Sequence, residues 1–290
     1  MMRKLKNIVI GILVAVAFIF AGCSSSNNMT YDKSTDTKIY HSVYSWDREL
    51  YDGDPIEVLN QISEYKINRV YQGLYPDDLK YPDETEKLVS ALAAEGVEVT
   101  YLSGSSSWLS DAKEVEEWTV DLLVQYNKSV SEDAQIHSIC LDAEFFTTPG
   151  WDDSAHFRQY TDMMKEIADY CHKKGFKLIL SAPYSLTDYS SEIYEELIGY
   201  VDELSCTAYL VGKEEEIMAP VYEMCKKAGT KFEVVLETQP VNKEYSVTKY
   251  NTYDCNGGKT AVLAAAQRLQ EEYPDISVGF HSLKFMLTLQ

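Results

Sequence analysis

No Cys-x-x-Cys pair occurs anywhere in the 290 residues, and the five histidines are scattered along the chain. Thiolate zinc sites built on such pairs are therefore excluded. Of the six cysteines, Cys140, Cys171, Cys206, Cys225 and Cys255 lie far apart in the body, an odd set that is no disulfide framework. Cys140 and Cys206 read as small buried strand residues, Cys171 and Cys225 as helix residues. Basic residues are also scarce: 26 Lys and Arg face 46 Asp and Glu, for a net charge of −20. So acidic a body argues against nucleic acid and against a polybasic membrane patch. Neutral or cationic partners fit it better than anionic polymers. After the first strand, "SWDRELYDGD" lacks the glycine-rich turn of a dinucleotide-binding fold. No metal and no cofactor is expected. His41 and His281 would become neighbours if the first and last strands met, but two ligands fall short of the three that catalytic zinc usually takes.

The chain starts with "MMRKLKNIVIGILVAVAFIFAGCSSSNN", a basic opening at Arg3, Lys4 and Lys6 followed by an apolar run from Ile8 to Ala21. That run has signal-peptide length and is short for a membrane span. With Cys23 after "FAG", the stretch resembles a bacterial lipoprotein signal. The resemblance implies cleavage before Cys23, lipidation of that cysteine, and an exported body anchored to the cell membrane through the lipid bilayer. Residues 1–22 are then the signal, 23–37 a polar tether, and 38–290 the folded domain. Loss of Arg3, Lys4 and Lys6 takes the remainder from −20 to −23.

From Lys38 onward, strand-like and helix-like stretches alternate. "KIYHSVYSW" reads as a strand and "DPIEVLNQISEYKI" as a helix opened by Asp54 with Pro55 at its first turn. "DETEKLVSALAAEG", "DSAHFRQYTDMMKEIADYCHKKG" and "KEEEIMAPVYEMCKKAG" are helices, each closed by glycine. Eight strands with seven clear helices in about 250 residues predict an α/β fold, a single (β/α)8 TIM barrel whose eighth helix is short or missing.

In such a barrel one strand face packs on the helices, the other points inward, and function gathers at the strands' carboxyl ends. Strand residues alternate faces. In "SICLDAEFF" the apolar Ile139, Leu141, Ala143 and Phe145 face the helices, so Cys140, Asp142 and Glu144 face inward. The same parity turns Ser205, Thr207 and Tyr209 inward on strand six, Val235, Glu237 and Gln239 on strand seven, and Ser181 on strand five. Burying an unpaired carboxylate costs several kcal/mol or raises its pKa, so three acids at one end mark a site. Aromatic residues near strand ends, Trp46, Tyr75, Trp151 and Tyr184, suit stacking on the C–H faces of sugar rings. Trp46 and Trp151 stand beside acidic loop residues and are the preferred pair.

These residues resemble glycoside hydrolase family 18, the chitinases and their relatives, whose fourth strand ends in Asp-x-Asp-x-Glu. Here the positions hold Cys140, Asp142 and Glu144, so the last two acids match. The sixth-strand Met-x-Tyr-Asp pattern keeps Tyr209 but has Leu210 in place of Asp. The resemblance implies that Glu144 protonates the glycosidic oxygen while the N-acetyl group of the sugar attacks, with Asp142 and Tyr209 holding that group. A second route pairs Glu144 with Glu237 as acid and nucleophile, resembling the large retaining clan with acids on strands four and seven. Either way the expected partner is a carbohydrate. A non-catalytic carbohydrate-binding lipoprotein is the alternative, because Cys140 and Leu210 replace family acids.

Overall fold

The structure, a computed structural model, describes residues 38–105, 111–148, 153–243 and 246–290. The expected signal, tether and lipidation site at Cys23 lie outside these residues, as does Trp151. Eight parallel strands close in sequence order into a barrel: β1 (His41–Ser45), β2 (Arg69–Gly73), β3 (Glu98–Ser103), β4 (Ser138–Leu141), β5 (Lys177–Pro183), β6 (Glu203–Thr207), β7 (Lys231–Glu237) and β8 (Ser277–His281). Pairing of Val43 with Phe280 joins β1 to β8 and leaves no sheet edge.

Around it lie α1 (Pro55–Asn60), α2 (Pro76–Lys80), α3 (Asp83–Ala94), α4 (Ala112–Val115), α5 (Asp121–Ser129), α6 (Ser154–Lys174), α7 (Thr187–Tyr200), α8 (Glu214–Ala228), α9 (Gly258–Glu272) and α10 (Leu283–Met286). The caps follow the sequence signals. Asp54 accepts the Ile56 N–H at 2.9 Å at the start of α1, and Gly175 ends α6 at φ 86°. The eighth helix is the four-residue α10, short as expected. Two features depart from the sequence reading. Pro76 and Asp78 build the extra helix α2, where the Asp78 carboxylate accepts the Tyr75 N–H at 2.8 Å. After β3, the stretch "DAKEVEEWTVDLLVQYNKSV", which reads as one long helix, is interrupted by a π-helical turn, Glu116–Val120, between α4 and α5.

The face alternation holds around the barrel. Val43, Val70, Ile139, Leu180, Leu204, Val234 and Phe280 belong to the core shared with the helices. Inside, Tyr44, Tyr71, Leu102, Cys140, Ile179 and Val235 form a separate plug. The plug divides the interior into an amino-terminal floor and a carboxyl-terminal mouth.

Candidate active site

Asp142 and Glu144 stand just past the end of β4. The Asp142 N–H still donates to the Ser103 carbonyl at 2.9 Å, extending the ladder by one residue. Ala143 and Phe145 are buried in the outer core, and Phe145 stacks on Phe157 at 5.3 Å. Anchoring these two outward leaves the alternate residues, Asp142 and Glu144, on the barrel side. Gly104 is needed for this, because a Cβ there would lie 2.2 Å from the Asp142 carbonyl oxygen. The Ser181 hydroxyl bonds to the Asp142 carboxylate.

The mouth is completed by neighbouring strand ends. Glu237 closes β7 and is 2% exposed. Its Oε1 accepts the Gln239 N–H at 2.8 Å, and both its oxygens lie 3.2 Å from His281 Nδ1 at the end of β8. Gln239 itself is buried. Tyr209, like Trp46, packs on the plug, and its ring lies 6.0 Å from that of His281.

The charges of Asp142, Glu144 and Glu237 all act on the Tyr209 phenol, which burial first and these acids next push far up. Asp142, Glu144, Tyr209 and Glu237 thus share one electrostatic neighbourhood. Burial, reinforced by Asp142 and opposed by His281, raises the Glu144 carboxyl to about 7, although the side chain is open to solvent at the rim. Asp142 is raised too, by burial against the Ser181 bond and His281. On His281, burial works downward, but the Glu237 bond and the acid charges win and raise its pKa. A carboxylic acid poised near neutrality can donate a proton to a leaving group.

Beside the acids lies a cavity of about 320 Å³, lined by Trp46, Leu74, Tyr75, Tyr101, Glu114 and Trp118 among others. Trp118 sits on the π-helical turn, and helical periodicity alone did not single it out. Trp46 is held from behind: the Gln72 side-chain amide donates to the Ser45 carbonyl at 3.2 Å, and Gly73 lets its strand approach the Trp46 backbone. Tyr184 takes a different place, half-buried against the core under the helices. A larger hollow of about 450 Å³ at the start of α8 shares no residue with the mouth. Its buried Glu214 is already engaged by the Gly212 N–H, Tyr253 and Arg268.

The proposed meeting of His41 and His281 does not occur. Although β1 and β8 pair, His41 opens β1 opposite Val278, whereas His281 ends β8 opposite Tyr44. His41 instead bonds the Tyr65 carbonyl at 2.8 Å and Gln270 at 3.0 Å. Among the described residues, no group of three His, Cys, Asp or Glu side chains is placed to hold a metal ion.

His281, which the sequence offers only as a candidate metal ligand beside His41, stands at the mouth without it. Its signal was parity, since Val278 and Phe280 face outward on the same strand.

No protein-family model and no curated protein matches this chain. Solved structures do resemble it. A D-psicose 3-epimerase from Clostridium cellulolyticum, solved with D-tagatose, is 12% identical over 84% of this chain and 85% of its own, with TM-score 0.52. A GH18 chitinase from Pseudoalteromonas aurantia is 12% identical over 83% of this chain and 93% of its own, with TM-score 0.50. A GH18 chitinase from Cycas revoluta, in complex with (GlcNAc)4, is 10% identical over 85% of this chain and 96% of its own, with TM-score 0.50. At such identities the likeness is one of fold: the chain is a (β/α)8 barrel similar in architecture to sugar-handling enzymes.

Proposed function

We propose that this protein is a glycoside hydrolase acting on an oligo- or polysaccharide, with Glu144 as the general acid. The observation that carries the reading is the Glu144 carboxyl, raised to about 7 and open to solvent at the end of the fourth strand beside Asp142. An acid with that pKa holds its proton near neutral pH and can still release it to the glycosidic oxygen. Asp142 and Tyr209 flank it on the barrel side, where an N-acetyl substituent would be held. The aromatic cavity next to them offers faces for further sugar rings. The barrel fold shared with chitinases supports a sugar substrate. Glu237 fits the role of nucleophile less well, since His281 and the Gln239 N–H occupy its buried carboxylate.

Glu144→Gln tests the acid directly. Turnover of a chitooligosaccharide should fall about 10²–10⁴-fold with the far-ultraviolet circular dichroism unchanged, and unaltered turnover would refute the reading.

A non-catalytic sugar binder is the second reading. It is favoured by Cys140, a sealed thiol in the plug where the chitinase pattern has an acid. Calorimetric binding of an oligosaccharide without product after long incubation would select it.

The amino-terminal sequence supports an extracytoplasmic position, with Cys23 as the lipid attachment point. Labelled palmitate should enter the protein in bacterial cells and be lost in Cys23→Ala; labelling that persists would rule this anchor out.

A further inference from the structure

We propose that the aromatic cavity beside the acids takes a sugar unit bearing a free amine, with its ammonium held by Glu114, so that the substrate is a partly N-deacetylated amino-sugar chain. The inference rests on the glycosidase reading and deepens it. An N-acetylated unit is held at Asp142 and Tyr209, where the bond is cut, and an amine-bearing unit of the same chain fills the cavity.

Three observations carry it. The first is continuity. Ser103 and Gly104, at the end of β3, line the cavity. Gly104 also packs on the Asp142 backbone, and the Asp142 N–H donates to the Ser103 carbonyl at 2.9 Å. The cavity wall is thus in contact with the strand extension that carries both acids. Trp46 belongs to both places, since it lines the cavity and packs on the plug as Tyr209 does. A sugar chain seated at the acids therefore leads into the cavity.

The second is charge. Among the described residues that line the cavity, Glu114 alone is charged. Its N–H donates to the Asp111 carboxylate at 3.4 Å, whereas its own half-buried carboxylate has no hydrogen-bond or ion-pair partner among the described residues. Asp47 and Asp78, on the segments that carry Trp46 and Tyr75, are neutralised by Lys284 at 2.7 Å and by Arg48 at 2.9 Å. Glu114 is the acid left to pair with something from outside. A chain of net charge −20 draws cations toward it.

The third is the aromatic frame around that acid. Trp118 follows Glu114 by four residues, on the π-helical turn that continues α4, and both meet the cavity. The Lys80 ammonium stands 5.6 Å from the centre of the Trp118 ring, so this ring already receives a cation. Lys80 is exposed and long enough to swing aside for a ligand. A carboxylate next to tryptophan rings suits an ammonium twice, through charge pairing and through the negative ring face. The C–H face of the same sugar can stack on a neighbouring ring. An N-acetyl group there would leave the Glu114 charge uncompensated.

The two places then ask for different sugars. The reacting unit keeps its acetyl group, because that group is the one held at Asp142 and Tyr209. The unit in the cavity has lost it, because Glu114 pairs with the amine. A volume of about 320 Å³ is at the low end for small-molecule sites, about 300–1,000 Å³, which fits a short stretch of sugar. Cleavage therefore reads the pattern of deacetylation along the chain.

The test digests partly acetylated chitosan with wild type and with Glu114→Gln, and sequences the products by mass spectrometry. Glucosamine is counted against N-acetylglucosamine at each position from the cut. We expect N-acetylglucosamine at the cut and one nearby position enriched about tenfold in glucosamine over the polymer's own ratio, the effect of one charge-assisted hydrogen bond. In Glu114→Gln that position should return to the polymer's ratio. Cleavage with no enriched position, or with an enrichment that persists in Glu114→Gln, overturns the role of Glu114 and leaves the glycosidase reading standing. Should Glu114→Gln fail to fold, the wild-type pattern decides alone. If wild type cleaves nothing, calorimetry compares pentaacetylchitopentaose with its monodeacetylated forms. Binding about tenfold tighter for a monodeacetylated form supports the amine site in a protein that does not cleave, and equal affinity overturns it. Absence of both binding and cleavage overturns both readings.

Discussion

The two ends of this barrel hold the same kinds of side chain in opposite states. At the floor, Arg69 is 3% exposed and its guanidinium lies 2.7 Å from Glu203 and against the ring of Tyr40. Glu233, also sealed, accepts hydroxyls from Ser42, from Ser205 at 2.5 Å and from Tyr71 at 3.0 Å. Gly279 keeps room for that carboxylate, since a Cβ there would lie 3.0 Å from it. At the mouth, by contrast, Glu144 is open to water, and His281 is the titratable base bonded to the cluster through Glu237. Inward-facing carboxylates on a barrel are thus not a site in themselves. Those bonded on every side serve the fold, and those left with an open acceptor are available for chemistry.

Arg69→Met is the largest way to break the contrast. It leaves Glu203 in the floor without its cation, and removing one partner of a buried pair costs about 3–5 kcal/mol. The urea midpoint should drop accordingly, while the folded fraction keeps its turnover. Adding Glu203→Leu should restore most of the lost stability, because an apolar pair of similar size avoids the buried charge. Were the midpoint to move no further in Arg69→Met than in Glu144→Gln, floor and mouth would not differ in the way described.

Gly104→Ala sharpens the same contrast from the other end. The added methyl would meet the Asp142 backbone, not a flexible side chain, so the strand extension carrying both acids has to move. Overpacking of this kind costs about 1–3 kcal/mol. Its effect on turnover should exceed its effect on stability, since positional error at a catalytic group is amplified in rate. Equal activity in wild type and variant would show that the placement of Asp142 is not critical.

Much of this was legible in advance, for physical reasons that also mark where legibility stopped. Period-two alternation told inward from outward on β4, β6 and β7, so Asp142, Glu144, Tyr209 and Glu237 were found together. Parity does not by itself give depth. Glu233 and Glu237 share a face but lie about 13 Å apart along one strand, and only the pairing register sends one to the floor and the other to the mouth. Register also separates His41 from His281, which belong to adjacent strands yet to opposite ends. The partnership of Arg69 with Glu203 crosses the interior from β2 to β6, a contact that no local pattern encodes. Trp118 was missed because aromatics were sought near strand ends, whereas it lies on the π-helical turn of the segment after β3.

The smallest expected effect separates the ends by proton uptake. The unfolded Glu144 carboxyl titrates at 4.5 and the folded one at about 7, so between these values the folded protein holds a proton that the unfolded chain has released. Stability then falls as pH rises through that window and levels off above it. Asp142 and His281 are raised as well, and so have the same sign, as does Glu233, which burial and Glu203 push upward. Carboxylates that are lowered, such as Glu64 by Lys259 and Glu196 by Arg158, act in the opposite direction and only in acid. The urea midpoint should therefore be higher at pH 5 than at pH 8. Glu144→Gln should flatten the slope without abolishing it, because the floor's Glu233 still titrates. An unchanged slope in Glu144→Gln would mean that solvent at the rim already relieves the burial of Glu144, and the mouth would then hold an ordinary carboxylate in place of a poised acid.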